Sequence, residues 1–194
     1  MEIQDNYLPY KQFRELQDFL LGPYVPWIYN NTITGSETSK MSGYQFIHSF
    51  FNTANPLLEQ PPSSYTGVLR NLLFKLRAAN LLKVKANLRP GTTEIEGSGF
   101  HVDLPIRCTT AIYYINTCNG YTEFEDDGTR VESVENRLMI FDSARKHMGT
   151  TCTDQKRRVV LNINYVPSLP YDGRPIPMGL DEQGEPSLKN TVNF

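Results

Sequence analysis

The chain has 194 residues, 39% of them apolar and 21% charged, which suits one globular domain with a substantial core and excludes a chain too polar to fold. Lys plus Arg number 19 against 21 Asp plus Glu, so no large basic field points to nucleic acid or to an anionic membrane. No apolar run approaches the ~20 residues of a membrane helix, and three cysteines without a CxxC pair argue against a disulfide scaffold or a zinc finger.

The chain opens on an acidic segment, Met1 to Asp5, with no apolar leader, which predicts a cytoplasmic protein. Pro9 followed by Phe13, Leu16, Phe19 and Leu20 has helical spacing, and Gly22-Pro23 ends it. Tyr24 to Tyr29 is short, aromatic and extended. Tyr44, Phe46, His48 and Phe50 alternate, so Gly43 to Phe51 predicts a strand. Asn55 to Ser64 is a proline-rich loop. Val68 to Leu82 predicts the clearest helix, with Leu69, Leu72, Leu73 and Leu76 on one stripe laid against a sheet.

From residue 82 the pattern changes to short strands, expected near 82–89, 100–104, 107–116, 121–126, 130–134, 137–142, 147–152 and 157–166. Asp127-Gly128 marks a hairpin turn. Eight short strands after a helical preface predict an all-β core of jelly-roll, cupin-like type, with N-terminal α-helices packed outside. The expected organisation is one domain over 1–194: a helix-and-strand preface at 1–81, a β-core at 82–166 and a Pro/Gly-rich tail at 167–194.

Only three histidines are present. In a strand, residues two apart face the same side, so His101-Val102-Asp103 aims an imidazole and a carboxylate at one point. His147 from a neighbouring strand would complete two histidines and one carboxylate on one face of a metal, the set used by non-haem Fe(II) oxygenases. His48 sits in phase with an aromatic strand and reads as a core or groove histidine. Arg158 heads the run Val-Val-Leu-Asn-Ile-Asn-Tyr. A buried arginine there is costly unless it meets an anion, and its planar fork suits a carboxylate. Arg157 must point the other way. Arg158 is taken as the inward one because Val160, Asn162 and Asn164 share its phase. Tyr114 could add a hydroxyl to the same carboxylate.

His101-Val102-Asp103, Arg107 through Asn116, Asn119-Gly120-Tyr121-Thr122-Glu123-Phe124, and Asn136 through Asp142 followed by His147 and Arg158 together resemble the oxygen-sensing prolyl hydroxylases. Those belong to the 2-oxoglutarate and Fe(II)-dependent dioxygenase superfamily. The resemblance covers residues 82–166. The first 80 residues resemble phage-encoded and bacterial relatives of unassigned substrate. The resemblance implies a double-stranded β-helix. It implies iron on His101, Asp103 and His147, and 2-oxoglutarate held by Arg158 and Tyr114 in a pocket lined by Ile112 and Thr110. It also implies O2 as the oxidant and ascorbate as a reductant. Halogenases of this superfamily lack the carboxylate, so Asp103 favours hydroxylation. Arg89 stands where the prolyl hydroxylases have a tyrosine before Pro-Gly, and Asn119-Gly120 replaces a glycine pair. Both bear on the substrate pocket.

The expected function is a prolyl-hydroxylase-like dioxygenase acting on a peptide or protein residue, or on a small molecule. Asn87, Arg89, Asn162 and Asn164 are candidate substrate contacts, and Lys85 alternates with the first two. The alternative is a cupin-like metal-binding protein or isomerase that performs no oxidation. It has no need of Arg158 and Tyr114. A purely structural β-domain leaves the phase of His101, Asp103, His147 and Arg158 to coincidence.

Overall fold

The computed structural model describes residues 1–31, 43–53, 62–104 and 106–168. The expected tail beyond Ser168 and most of the loop at 55–64 lie outside the described residues.

Strand β1 (Glu2–Gln4) is followed by helix α1 (Tyr10–Leu21), then by strands β2 (Ile28–Asn30) and β3 (Gln45–Asn52). Pro9 caps α1 at φ −53°, already set for a helix start. Phe13, Leu16 and Leu20 are buried at the expected spacing, and Gly22 ends the helix. Helix α2 (Arg70–Leu76) follows a 3-10 turn at Thr66–Leu69. It is shorter than the 68–82 helix expected. Arg77 adopts a left-handed conformation (φ 53°) and turns the chain into strand β4 (Ala78–Pro90). The leucines at 81 and 82 therefore belong to a strand. Local propensity loses there to the ladder between Ala78–Pro90 and the last strand, an interaction that a sequence window does not contain.

The remaining strands are β5 (Thr109–Tyr114), β6 (Tyr121–Phe124), β7 (Arg130–Glu132), β8 (Leu138–Asp142), β9 (His147–Gly149) and β10 (Arg157–Pro167). Seven of the eight expected core strands are present, with shifted ends. The segment at 100–104 is not a strand; it makes one isolated bridge, His101 to His147. The turn at Asp127-Gly128 joins β6 to β7, with Gly128 at φ 68°, a conformation glycine adopts without steric cost.

Two sheets result. The larger runs β1-β8-β5-β10-β4-β3-β2 and the smaller β7-β6-β9. β1 pairs with β8 and β3 with β4, so the N-terminal segment and the β-core share one sheet. Alternation gives the large sheet two different faces. Val84, Ala86 and Leu88 of β4, with Val159, Leu161 and Ile163 of β10, pack under α1 and α2 in the main core. The opposite face carries Lys85, Asn87 and Arg89, then Arg158, Val160, Asn162 and Asn164. Part of it is closed by a second apolar cluster that includes Ile112, Tyr114, Phe124 and Phe141. The polar remainder between the sheets is the site. No described helix is long and apolar enough to cross a membrane.

Candidate metal centre and its cavity

His101 and His147 exchange both backbone hydrogen bonds across their bridge, at 3.0 Å each. Residues directly opposite in such a bridge project to the same side, and the two imidazoles lie 5.0 Å apart between ring centres. The convergence of His101 with Asp103 does not come from a strand, as the His-x-Asp spacing predicted. A loop carries Asp103 across to β10, where Asn162 Nδ2 donates to both carboxylate oxygens at 2.9 and 3.0 Å. Asn164 Nδ2 donates to Asp103 at 3.4 Å and to Thr110 Oγ1 at 2.9 Å. The large sheet thus fixes the carboxylate, and the small sheet fixes His147.

Asp103 lies 3.9 Å from His101 Nε2 and 3.6 Å from His147 Nε2. One potential ligand atom from each of the three residues falls within 4.8 Å of the others, close enough for a single ion to reach all three. Both histidine Nδ1 atoms face backbone carbonyls, of Gly99 at 3.0 Å and Arg145 at 3.2 Å. A carbonyl oxygen only accepts, so Nδ1 carries the proton and the Nε2 lone pair is left for a metal. Burial holds the His147 pKa below its ordinary value, against the pull of Asp103, and keeps the ring neutral as a ligand must be. Burial pushes the Asp103 carboxyl upward, but His147, the Asn162 amide, Lys83 and His101 outweigh it and leave the pKa lowered. The donor set of two neutral imidazoles and one carboxylate fits Fe(II).

The cavity runs from these ligands to Arg158. That side chain is fully buried, and its hydrogen bonds go to neutral acceptors: Ser133 Oγ at 2.6 Å, Thr122 Oγ1 at 3.1 Å and Thr150 O at 3.4 Å. Burial lowers its pKa from the ordinary arginine value. Among the described residues no carboxylate pairs with it, and a desolvated guanidinium so placed is a receptor for an anion.

Ile112, Asn87, Arg89 and Asn162 line this cavity. Tyr114 and Thr110 are buried behind it. The Tyr114 hydroxyl donates to Thr122 Oγ1 at 3.0 Å, and its ring lies 5.6 Å from the Arg158 guanidinium carbon. Asn164 acts behind Asp103. His48 is a core histidine, bonded to Pro26 O and Ser63 Oγ. Thr122, Ser98 and Gln45 also line the cavity and were not anticipated as site residues. Thr122 was detectable from its alternation with the buried Phe124. Gln45 was not, because its place depends on the pairing of β3 with β4. Among the described residues, four buried polar side-chain atoms lack a partner: Asn87 Oδ1, Arg89 Nε, Asn162 Oδ1 and Asn164 Oδ1. All four residues are on the site face of β4 and β10. A second cluster, Cys118, Cys152 and Asp154, has its carboxylate committed to the Asn119 backbone N–H and Cys152 bonded to Gln155 O.

No protein-family model matches the chain, and no curated protein matches it. Solved structures do, among them prolyl hydroxylases and a 2OG-Fe(II) oxygenase family protein. A prolyl hydroxylase from Trichoplax adhaerens, solved with a hypoxia inducible factor peptide fragment, is similar over 85% of this chain and 82% of that one, with a TM-score of 0.56 and 19% identity. A 2OG-Fe(II) oxygenase family oxidoreductase from Burkholderia pseudomallei covers 80% and 78%, at 0.55 and 14%. The viral collagen prolyl hydroxylase of Paramecium Bursaria Chlorella virus-1, solved with 2OG, covers 87% and 96%, at 0.51 and 13%. At these identities the shared property is the fold.

Proposed function

We propose that this protein is a 2-oxoglutarate- and Fe(II)-dependent dioxygenase, a hydroxylase built on a double-stranded β-helix. One observation carries the proposal. Three side chains able to bind a metal converge at one end of a cavity, and a buried arginine with no carboxylate partner among the described residues stands at the other. His101, Asp103 and His147 would hold Fe(II). Arg158, with Thr122 and Ile112, would hold the distal carboxylate of 2-oxoglutarate, and the Tyr114 hydroxyl would position Thr122. Iron, 2-oxoglutarate and O2 together supply the oxidising power, with succinate and CO2 as by-products. The chain's own part is to orient and to exclude water. Asn162 and Asn164 fix the Asp103 carboxylate, the Gly99 and Arg145 carbonyls fix the imidazoles, and the apolar cluster behind Tyr114 keeps the Arg158 end dry.

A cupin-like protein that performs no oxidation accounts for the metal ligands but leaves the buried Arg158 charge unexplained. The fold likeness to a prolyl hydroxylase solved with a peptide supports a peptide or protein substrate ahead of a small molecule. The test supplies Fe(II), O2 and ascorbate, and follows succinate formation together with gain of one oxygen in peptide and amino-acid panels by mass spectrometry. Succinate at the level of an iron-only blank across the panels overturns the proposal.

A further inference from the structure

Two cations on the cavity wall are not used by the proposed chemistry. Lys85 and Arg89 occupy alternate positions of β4, with Asn87 between them, and all three line the cavity. The ladder places Arg89 opposite Arg158 and Lys85 opposite Asn162, the residue that holds Asp103. This wall therefore runs beside the whole distance from the Arg158 end to the metal ligands.

Arg89 is only 5% exposed. Its Nη1 donates to the Glu96 and Gly149 carbonyls, while its Nε, like Asn87 Oδ1, is buried without a partner. Among the described residues, no carboxylate forms an ion pair with Lys85, Arg89 or Arg158. Asp103 is the sole acid on the described wall. Burial, with Lys83 beside it, pulls the Lys85 ammonium down to about 8. A divalent ion and a dicarboxylate co-substrate cancel each other's charge, so loading both leaves three cations facing one carboxylate. Uncompensated charge in a desolvated cavity is costly unless a ligand answers it.

We propose that the substrate oxidised here bears a carboxylate, received by Lys85 and Arg89. Asn87 Oδ1 accepts a hydrogen bond from an N–H or O–H beside that carboxylate. The inference rests on the proposed dioxygenase function and specifies its substrate class. The carboxylate can belong to a free acid or to an acidic peptide, which the test separates.

The protein is loaded with Mn(II) and saturated with 2-oxoglutarate in the absence of O2, and binding is followed by calorimetry. One arm titrates the free amino acids against their C-terminal amides. The other titrates end-blocked peptides containing Asp or Glu against their Asn or Gln counterparts. At least one acid should bind about tenfold more tightly than its amide, the effect of one charge-assisted hydrogen bond. Lys85→Met or Arg89→Met should remove most of that preference. A winning free acid identifies a small-molecule substrate, and a winning peptide identifies an acidic side chain. The inference is overturned if amides match acids in both arms, or if neither substitution changes the preference. It is also overturned if Arg89→Met merely abolishes 2-oxoglutarate binding while no acid is preferred. Failure of the unaltered protein to bind Mn(II) or 2-oxoglutarate appears in the first titration and removes the dioxygenase proposal itself, and the inference with it.

Discussion

Replacing Arg158 with Met separates anion binding from folding. The guanidinium is fully buried, and among the described residues its hydrogen bonds go to two hydroxyls and a carbonyl. Removing it from the ligand-free protein deletes these hydrogen bonds, each worth about 1–3 kcal/mol, but also deletes an uncompensated buried charge that costs several kcal/mol. The two terms oppose, so the ligand-free melting temperature should move little. With 2-oxoglutarate the terms no longer oppose. Loss of one partner of a buried charge pair costs about 3–5 kcal/mol, which raises Kd between about a hundredfold and a few thousandfold. At 100 times its Kd, the co-substrate stabilises the unaltered protein by about 2.7 kcal/mol. For a chain of this size that is roughly 5–10 °C in Tm. The same concentration should stabilise the variant by under about 0.5 kcal/mol, or roughly 1–2 °C. The assay is thermal unfolding of Mn(II)-loaded protein with and without 2-oxoglutarate. Arg157→Met is the control, since that side chain turns to the opposite face and donates to the Leu21 carbonyl. A full ligand shift in Arg158→Met, or its loss in Arg157→Met, refutes the assignment.

His147→Ala removes the one ligand supplied by the small sheet, and bound metal per chain should fall from one to near zero by elemental analysis. Unchanged stoichiometry would place the metal elsewhere. Gly120→Ala tests the closed end of the cavity from the backbone side. A Cβ there would stand 2.5 Å from the Thr151 carbonyl oxygen and 2.7 Å from Arg158 Cδ. Overpacking of this kind costs about 1–3 kcal/mol. It should displace the arginine and weaken 2-oxoglutarate binding by calorimetry, whereas unchanged affinity would mean that Arg158 does not set the anion's position.

The spacing of chemically distinctive residues was legible because their neighbours carried it locally. Arg158, Val160, Asn162 and Asn164 share one face because a strand repeats every two residues, and the ladder with β4 and β5 bears this out. The short strands and the turn at Gly128 followed from equally local signals. The limits of α2 were not legible, because the pairing of Ala78 with Pro167 spans almost the whole described β-core and outcompetes helix propensity at Leu81 and Leu82. Nor was the way Asp103 reaches the centre. Its segment is not a strand, and a side chain that hydrogen-bonds residues 59 and 61 positions away answers to no periodicity.

By itself, then, the sequence determined which groups were available: two imidazoles, a carboxylate and an arginine that the two-residue repeat of its strand turns inward. Tertiary structure alone decided what those groups meet. It set Tyr114 behind Thr122 and brought Gln45 to the cavity wall. It also laid Lys85 and Arg89 beside the metal ligands, with no carboxylate among the described residues ion-paired to either. Periodicity states which side of a strand a residue takes. Only the packing of one sheet on the other determines which charges share a desolvated space, and that sharing sets which ligands the cavity can accept.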